Sequence, residues 1–323
     1  MPNSPAVTPS SATPRRPLAA RVARALGRHL GWAAAAAVVV GGAATGAVGW
    51  AIRDGMLTVA AGSPRAASTR TALRSSTPSR DVAVQALRDA CVMEPRSADE
   101  VQRVIETLAD GHAAGVPADA RRSVTVLAVS GKLADRFPAA ASMTMVGGRG
   151  VLTWNQESPG NGSTVYHELV HLGQFRLGRA GQRRLLEELR VAEPLPGAQA
   201  GFTERDALDA WKSVHTVLVY GSEAAAADSL SDAVVRESKA LRRDMPSTPV
   251  ARVVVAAERV LADSVWRDAR RRLELVAWLH EGAPPSRPPV GWSWRAELER
   301  LTYFEAMAYA ADRRCRAEAR KTD

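Results

Sequence analysis

Tyr166-His167-Glu168-Leu169-Val170-His171-Leu172-Gly173-Gln174 places two histidines four residues apart in an otherwise apolar segment. On a helix that spacing projects both imidazoles from one face. Two nitrogens so placed can each hold a zinc ion at about 2.0–2.1 Å. Glu168 lies one step round the helix, where it is positioned to take a proton from a zinc-held water rather than to bind the metal. Histidines on a solvated helix would have polar neighbours. Here Val165, Leu169, Val170 and Leu172 surround the pair, so the helix is expected to be buried, and buried imidazoles need partners that a metal supplies.

The flanking sequence places this segment on a helix that follows strands. Pro159-Gly160-Asn161-Gly162 reads as a loop, Ser163 or Thr164 as the helix cap, and Gly178 as its end. Upstream, Ser142–Val146 and Val151–Trp154 flank Gly147, Gly148 and Gly150, the pattern of a hairpin. Ser123–Ser130 is short and β-branched and reads as another strand. Asp81–Met93 has apolar residues at helical spacing, and Ser97 with Glu100 makes a capping-box pattern ahead of Val101, Val104, Ile105 and Leu108. From Gln182 onward the chain reads as helices broken at Pro194, at Pro246 and over Pro284–Pro289. Ser293 caps a last helix that reaches about Ala319. A small sheet followed by many helices is an α+β arrangement. There is no internal repeat.

The run from His167 to Gln174 resembles the HExxH zinc metallopeptidases, the zincins, and most closely the HExxHxxQ helix of membrane-associated or secreted members. The resemblance covers residues 120–178 and the last helix. It implies a zincin-like fold, zinc-dependent hydrolysis of a peptide or protein substrate, and a strand before the helix, here Val151–Trp154, that forms the sheet edge on which an extended substrate pairs. The third histidine of the metzincin pattern is absent, since position 177 is Leu177, so the third ligand is expected to be a carboxylate from another helix, as in gluzincins. Glu305-Ala306-Met307-Ala308-Tyr309 is similar to the glutamate helix of several gluzincin-like families. Its alanines would also let that helix approach the histidine helix closely. Glu305 is therefore the first candidate, Glu223 the second, with Glu187, Glu188 and Glu193 behind them. Some family members carry an aspartate four residues after the ligand to orient a histidine; this chain has Tyr309 there, and Asp312 a turn further on. His215, Tyr220, Tyr303 and Tyr309 are candidate donors to a developing oxyanion. Gln174 either supports a ligand from behind or faces solvent. The alternative to an enzyme is a catalytically inactive zincin-like binding or scaffold module.

The 323 residues, 46% of them hydrophobic and 24% charged, exclude a wholly disordered chain and a disulfide miniprotein. Net charge is +9, but Arg15, Arg16, Arg21, Arg24 and Arg28 supply five of the 43 bases, in a segment without an acid. No basic run carries interleaved aromatics, so no nucleic-acid partner is expected. Residues 1–29 read as a disordered basic cytoplasmic tail. Leu30–Ile52 has no charged residue, is long enough to cross a bilayer, and carries Trp32 and Trp50 near its ends. The preceding arginines orient residues 30–52 as a signal anchor, with the remainder extracytoplasmic. Secretion after cleavage near Ala60–Ser63 is the alternative. Residues 53–80 read as a linker and 81–323 as the metallopeptidase-like domain. Cys91 and Cys315 are the only cysteines. Outside the cytoplasm they are free to pair, and sequence leaves open whether they do.

Overall fold

Five residues, Leu57–Ala61, form β1, the first strand of a mixed sheet completed by Val124–Val129 (β2), Ala141–Val146 (β3) and Arg149–Asn155 (β4). The computed structural model describes residues 57–61, 80–146, 148–192, 201–219, 224–244, 248–280 and 293–322, apart from 136 and 138. The strand order is β1-β2-β4-β3. β1 runs antiparallel to β2, β2 parallel to β4, and β3 antiparallel to β4 in the expected hairpin.

Two expectations are corrected here. Residues 57–61 lie in the stretch read as linker, yet they pair with β2 from Leu57↔Val129 to Ala61↔Thr125. Five residues are too few for a periodic signal, and their order comes from β2, whose outer edge would otherwise be unpaired. Val151–Trp154 is not the sheet edge. β2 occupies the other side of β4, so the free edge on this side of the sheet is β3. Trp154, with no exposed surface, belongs to the core.

Among the described residues nine longer helices follow the expected order: α1 (Arg80–Val92), α2 (Ala98–Asp110), α3 (Gly162–Arg176), α4 (Gly178–Ala192), α5 (Glu204–Val219), α6 (Ala224–Asp244), α7 (Pro249–Ala262), α8 (Arg267–His280) and α9 (Trp294–Ala319). α1, α2, α3 and one face of the sheet enclose a first core that includes Ile105, Leu108, Leu152, Trp154 and Leu169. A small cluster of Leu127, Val129, Phe137 and Val151 covers the opposite face of the sheet. α4 to α9 build a second core around Trp211, Leu230, Leu241 and Leu261. α9 belongs to both, giving Leu298, Phe304 and Ala306 to the second core and Ala308 and Cys315 to the first. The α+β class expected from sequence is the class observed. Leu30–Ile52 lies outside the described residues, and among those described no helix is long and apolar enough to cross a membrane.

Close approach fixes the start of α3. A Cβ at Gly162 would run into the Ala90 carbonyl oxygen of α1, and the Gly162 N–H donates to Met93 O at 2.8 Å. Only glycine lets the first turn of α3 rest against the end of α1 at this distance. The end of α1 is also joined covalently to α9, because Cys91 of α1 and Cys315 of α9 form a disulfide with Cα atoms 5.6 Å apart. The pairing that sequence left open is thus present, and it closes a sequence separation of 224 residues.

Removing a native disulfide typically costs about 2–5 kcal/mol. The double variant Cys91→Ala/Cys315→Ala is expected to lose stability in that range in urea denaturation. An unchanged midpoint would show that the helices are held by packing alone.

Candidate metal centre

Helix α3 begins at an Asn161 cap. The Asn161 side-chain oxygen accepts from the Thr164 N–H at 3.2 Å, and the Thr164 hydroxyl accepts from the Asn161 N–H at 3.3 Å. The cap is therefore Asn161, ahead of the Ser163 or Thr164 expected from sequence. Ser163 instead donates to Asn161 Oδ1 and accepts from Arg316 Nε of α9. From this start, about 100° per residue puts His167, His171 and Gln174 within roughly 60° of arc, on the stripe facing α9. Glu168, a step round, faces β3, and its carboxylate accepts a hydrogen bond from the Met143 backbone.

Helix α9 starts at Ser293, whose hydroxyl accepts from the Ala296 N–H at 3.1 Å, as its sequence predicts. Ala308 has no exposed surface and packs in the first core with residues of α3, so the two helices approach closely there. Glu305 stands at that contact. Its Oε2 is 3.6 Å from His167 Nε2 and its Oε1 3.5 Å from His171 Nε2, and the two Nε2 atoms are 3.2 Å apart. Two atoms each about 2.05 Å from a tetrahedral zinc ion stand about 3.3 Å apart. The three side chains thus fit a small divalent cation with little movement, and they are the group among the described residues with metal-ligand chemistry. The histidine side chains are 11% exposed and that of Glu305 22%, so one side of the cluster opens to solvent.

The electrostatics are those of a buried cluster with too few positive charges. Burial pushes Glu168 above the usual carboxylate range. The two histidines and the Met143 hydrogen bond only partly offset this, and the Glu305 charge adds to it. At His171 burial alone would lower the pKa, but the charge and hydrogen bond of Glu305, with Glu168 and Gln174, outweigh it and raise the value to about 9. Glu305 is the converse: burial pushes it up, and the two histidines hold it far below the usual range. The raised value favours the protonated form of His171 beside the Glu305 carboxylate.

Of the other candidates, Tyr309 reaches the site. Its ring meets His167 edge-on at 4.6 Å between centroids, and its hydroxyl is 2.8 Å from Ser213 Oγ of α5. Burial, and beyond it the Glu305 charge, push the phenol up to about 12 despite the Ser213 bond, so it stays protonated. Asp312 does not support a histidine; it pairs with Arg316. Tyr303 is packed in the second core, and His215 lies against Trp211. Glu187 and Glu188 are exposed on α4, away from any such cluster. Glu193, Glu223 and Tyr220 lie outside the described residues. Sequence reasoning missed Ser213 and the Met143 backbone. Neither carries a motif, and both enter only through packing of α5 and β3 on the site.

No protein-family model, curated protein or solved structure matches this chain. The likeness to zincins accordingly rests on the residues themselves.

The metal-free pair has a defined pH window. The raised His171 pKa stabilises the fold fully below about 6.5 and is lost as pH rises through about 9; the depressed Glu305 pKa stabilises it above about 4.5 and is lost as pH falls. A metal ion competes with the His171 proton. Calorimetric titration with zinc at pH 7.5 is expected to give heats that depend on the ionisation enthalpy of the buffer, because binding displaces the His171 proton. Buffer-independent heats at pH 7.5 would contradict the His171 assignment.

Proposed function

We propose that this chain is a zinc metallopeptidase of gluzincin type, with His167, His171 and Glu305 as metal ligands and Glu168 as general base. The observation that carries the proposal is the convergence of Glu305, 134 positions after His171 in sequence, to within 3.5–3.6 Å of both histidines beside an intact Glu168. When bound, a zinc ion supplies an acidified water and polarises the carbonyl under attack. Glu168 accepts the proton of the attacking water and later delivers it to the leaving amine. Its buried position raises its proton affinity, which suits a group that must both take and return a proton near neutral pH. Tyr309, with Ser213 Oγ 2.8 Å from its hydroxyl, donates its hydroxyl hydrogen toward the developing oxyanion.

The sheet supports a peptide substrate. Asn155 N–H donates to Ala140 O, and bonded pairs alternate in an antiparallel ladder, so Met143 turns its backbone away from β4 toward the free edge. That edge adjoins Glu168, and an extended chain added there would run past the general base. The disulfide suits an oxidising, extracytoplasmic compartment. An uncleaved anchor at residues 30–52 is favoured over secretion, because cleavage near Ala60–Ser63 would remove β1 from the sheet.

Purified protein is expected to hold about one zinc per chain, lost in His167→Ala and in Glu305→Ala. Glu168→Gln should keep the metal while peptide hydrolysis falls roughly 10²–10⁴-fold, and Tyr309→Phe should keep the metal while kcat falls by up to about 10³-fold. Metal analysis and cleavage of a mixed peptide library check these. Retained zinc with no hydrolysis by the wild type would instead identify an inactive zincin-like module.

A further inference from the structure

The side-chain amide of Gln174 touches both ligand-bearing helices. Gln174 is 2% exposed, one turn after His171 on α3. Its Oε1 is 2.9 Å from His171 Nδ1, and its Nε2 is 3.1 Å from the carbonyl oxygen of Phe304 and 3.5 Å from Met307 Sδ, both on α9. Phe304 is the residue immediately before Glu305. A single buried amide therefore bridges the back of one ligand and the backbone beside another.

The direction of that amide is fixed by chemistry. A backbone carbonyl can only accept, so the end of Gln174 facing Phe304 must be the NH2 group. Reversing the amide would set two acceptors against each other on α9. Its oxygen must then face His171 Nδ1, and an oxygen without a proton requires N–H at that nitrogen. In the neutral ring the lone pair is consequently on Nε2, the atom 3.5 Å from Glu305 and 3.2 Å from His167 Nε2. The order of control runs from the α9 backbone to the Gln174 amide and from there to the His171 tautomer.

The geometry points to Gln174 as the positioning residue of the metal site: it selects the His171 tautomer that coordinates through Nε2 and sets the spacing between α3 and the Glu305 turn. A carboxylate in its place could accept from His171 but would set an oxygen against the Phe304 carbonyl and add negative charge beside Glu168 and Glu305. The neutral amide has a donor and an acceptor at the required ends. Gln174 touches neither metal nor substrate and acts through its two neighbours. The inference rests on the proposed metal site.

The test uses the folded domain with its disulfide intact. Zinc affinity is measured by chelator competition for wild type, Gln174→Leu and Gln174→Glu. The Gln174→Leu variant, lacking both bonds, is expected to lose affinity by roughly 10–100-fold, with Gln174→Glu, which keeps the acceptor, recovering part of it. A side-chain 15N–1H spectrum of zinc-loaded wild type is expected to show His171 protonated at Nδ1 and metal-bound at Nε2. This second measurement needs no variant, so it stands if Gln174→Leu fails to fold. Folded Gln174→Leu with wild-type zinc affinity, or His171 bound through Nδ1, would overturn the role of Gln174 while leaving the metal site in place. Failure of the wild type to bind zinc would overturn the metal site itself and this inference with it.

Discussion

Helices α3 and α9 are far apart in the sequence and must approach closely enough for side chains on each to share one small volume. That approach is the constraint from which the site follows. It depends on the alanine at 308, on the absence of a side chain at Gly162, and on the disulfide that fixes the far end of α9 to α1. Each acts at a different point along the contact. The alanine permits the distance, the glycine sets where α3 starts, and the disulfide resists separation of the ends. The ligand cluster lies where α9 passes from one core to the other, so it joins two hydrophobic bodies that otherwise pack independently.

Burying Glu168, Glu305 and two imidazoles in one place is costly unless their charges are balanced. Without a cation the fold manages this by shifting proton affinities in opposite directions, up on His171 and down on Glu305. On the proposed reading a divalent cation would balance these charges more fully than a proton, which satisfies only one pair of atoms at a time. Tyr309 and Gln174 complete the enclosure on two sides, each committed to a neighbour on a different helix.

Much of this was legible in the sequence because the chemistry is local. Histidines at i and i+4 declare their shared face whatever surrounds them, and the alanine-rich turn around Glu305 announces a close helix contact. The hairpin and the capped helices were legible for the same reason, since turn and cap residues act on their immediate neighbours. Contacts set by long-range packing were not. Nothing near Cys91 or Cys315 indicates that they meet. Nothing in Leu57–Ala61 distinguishes a strand from a linker until β2 is present to pair with it. The order of strands was misjudged on β4 because a hairpin alone does not say which arm lies outside. Asn161 was passed over as a cap because Ser163 and Thr164, both good caps, follow it directly; its own carbonyl-like oxygen reaches the Thr164 N–H first.

Strand β1 has one more consequence, and it concerns distance. Leu57 lies five residues beyond Ile52, a separation that a fully extended chain spans in no more than about 18 Å. If Leu30–Ile52 crosses a bilayer, the sheet is leashed that close to the lipid surface, and the flexible stalk suggested by composition does not exist at the point where it would give freedom. A domain so tethered would patrol a thin layer of space above its own membrane. If it cleaves peptides as proposed, the bonds within its range would be those of neighbours in the same bilayer, or of chains emerging from it, rather than of proteins diffusing in bulk.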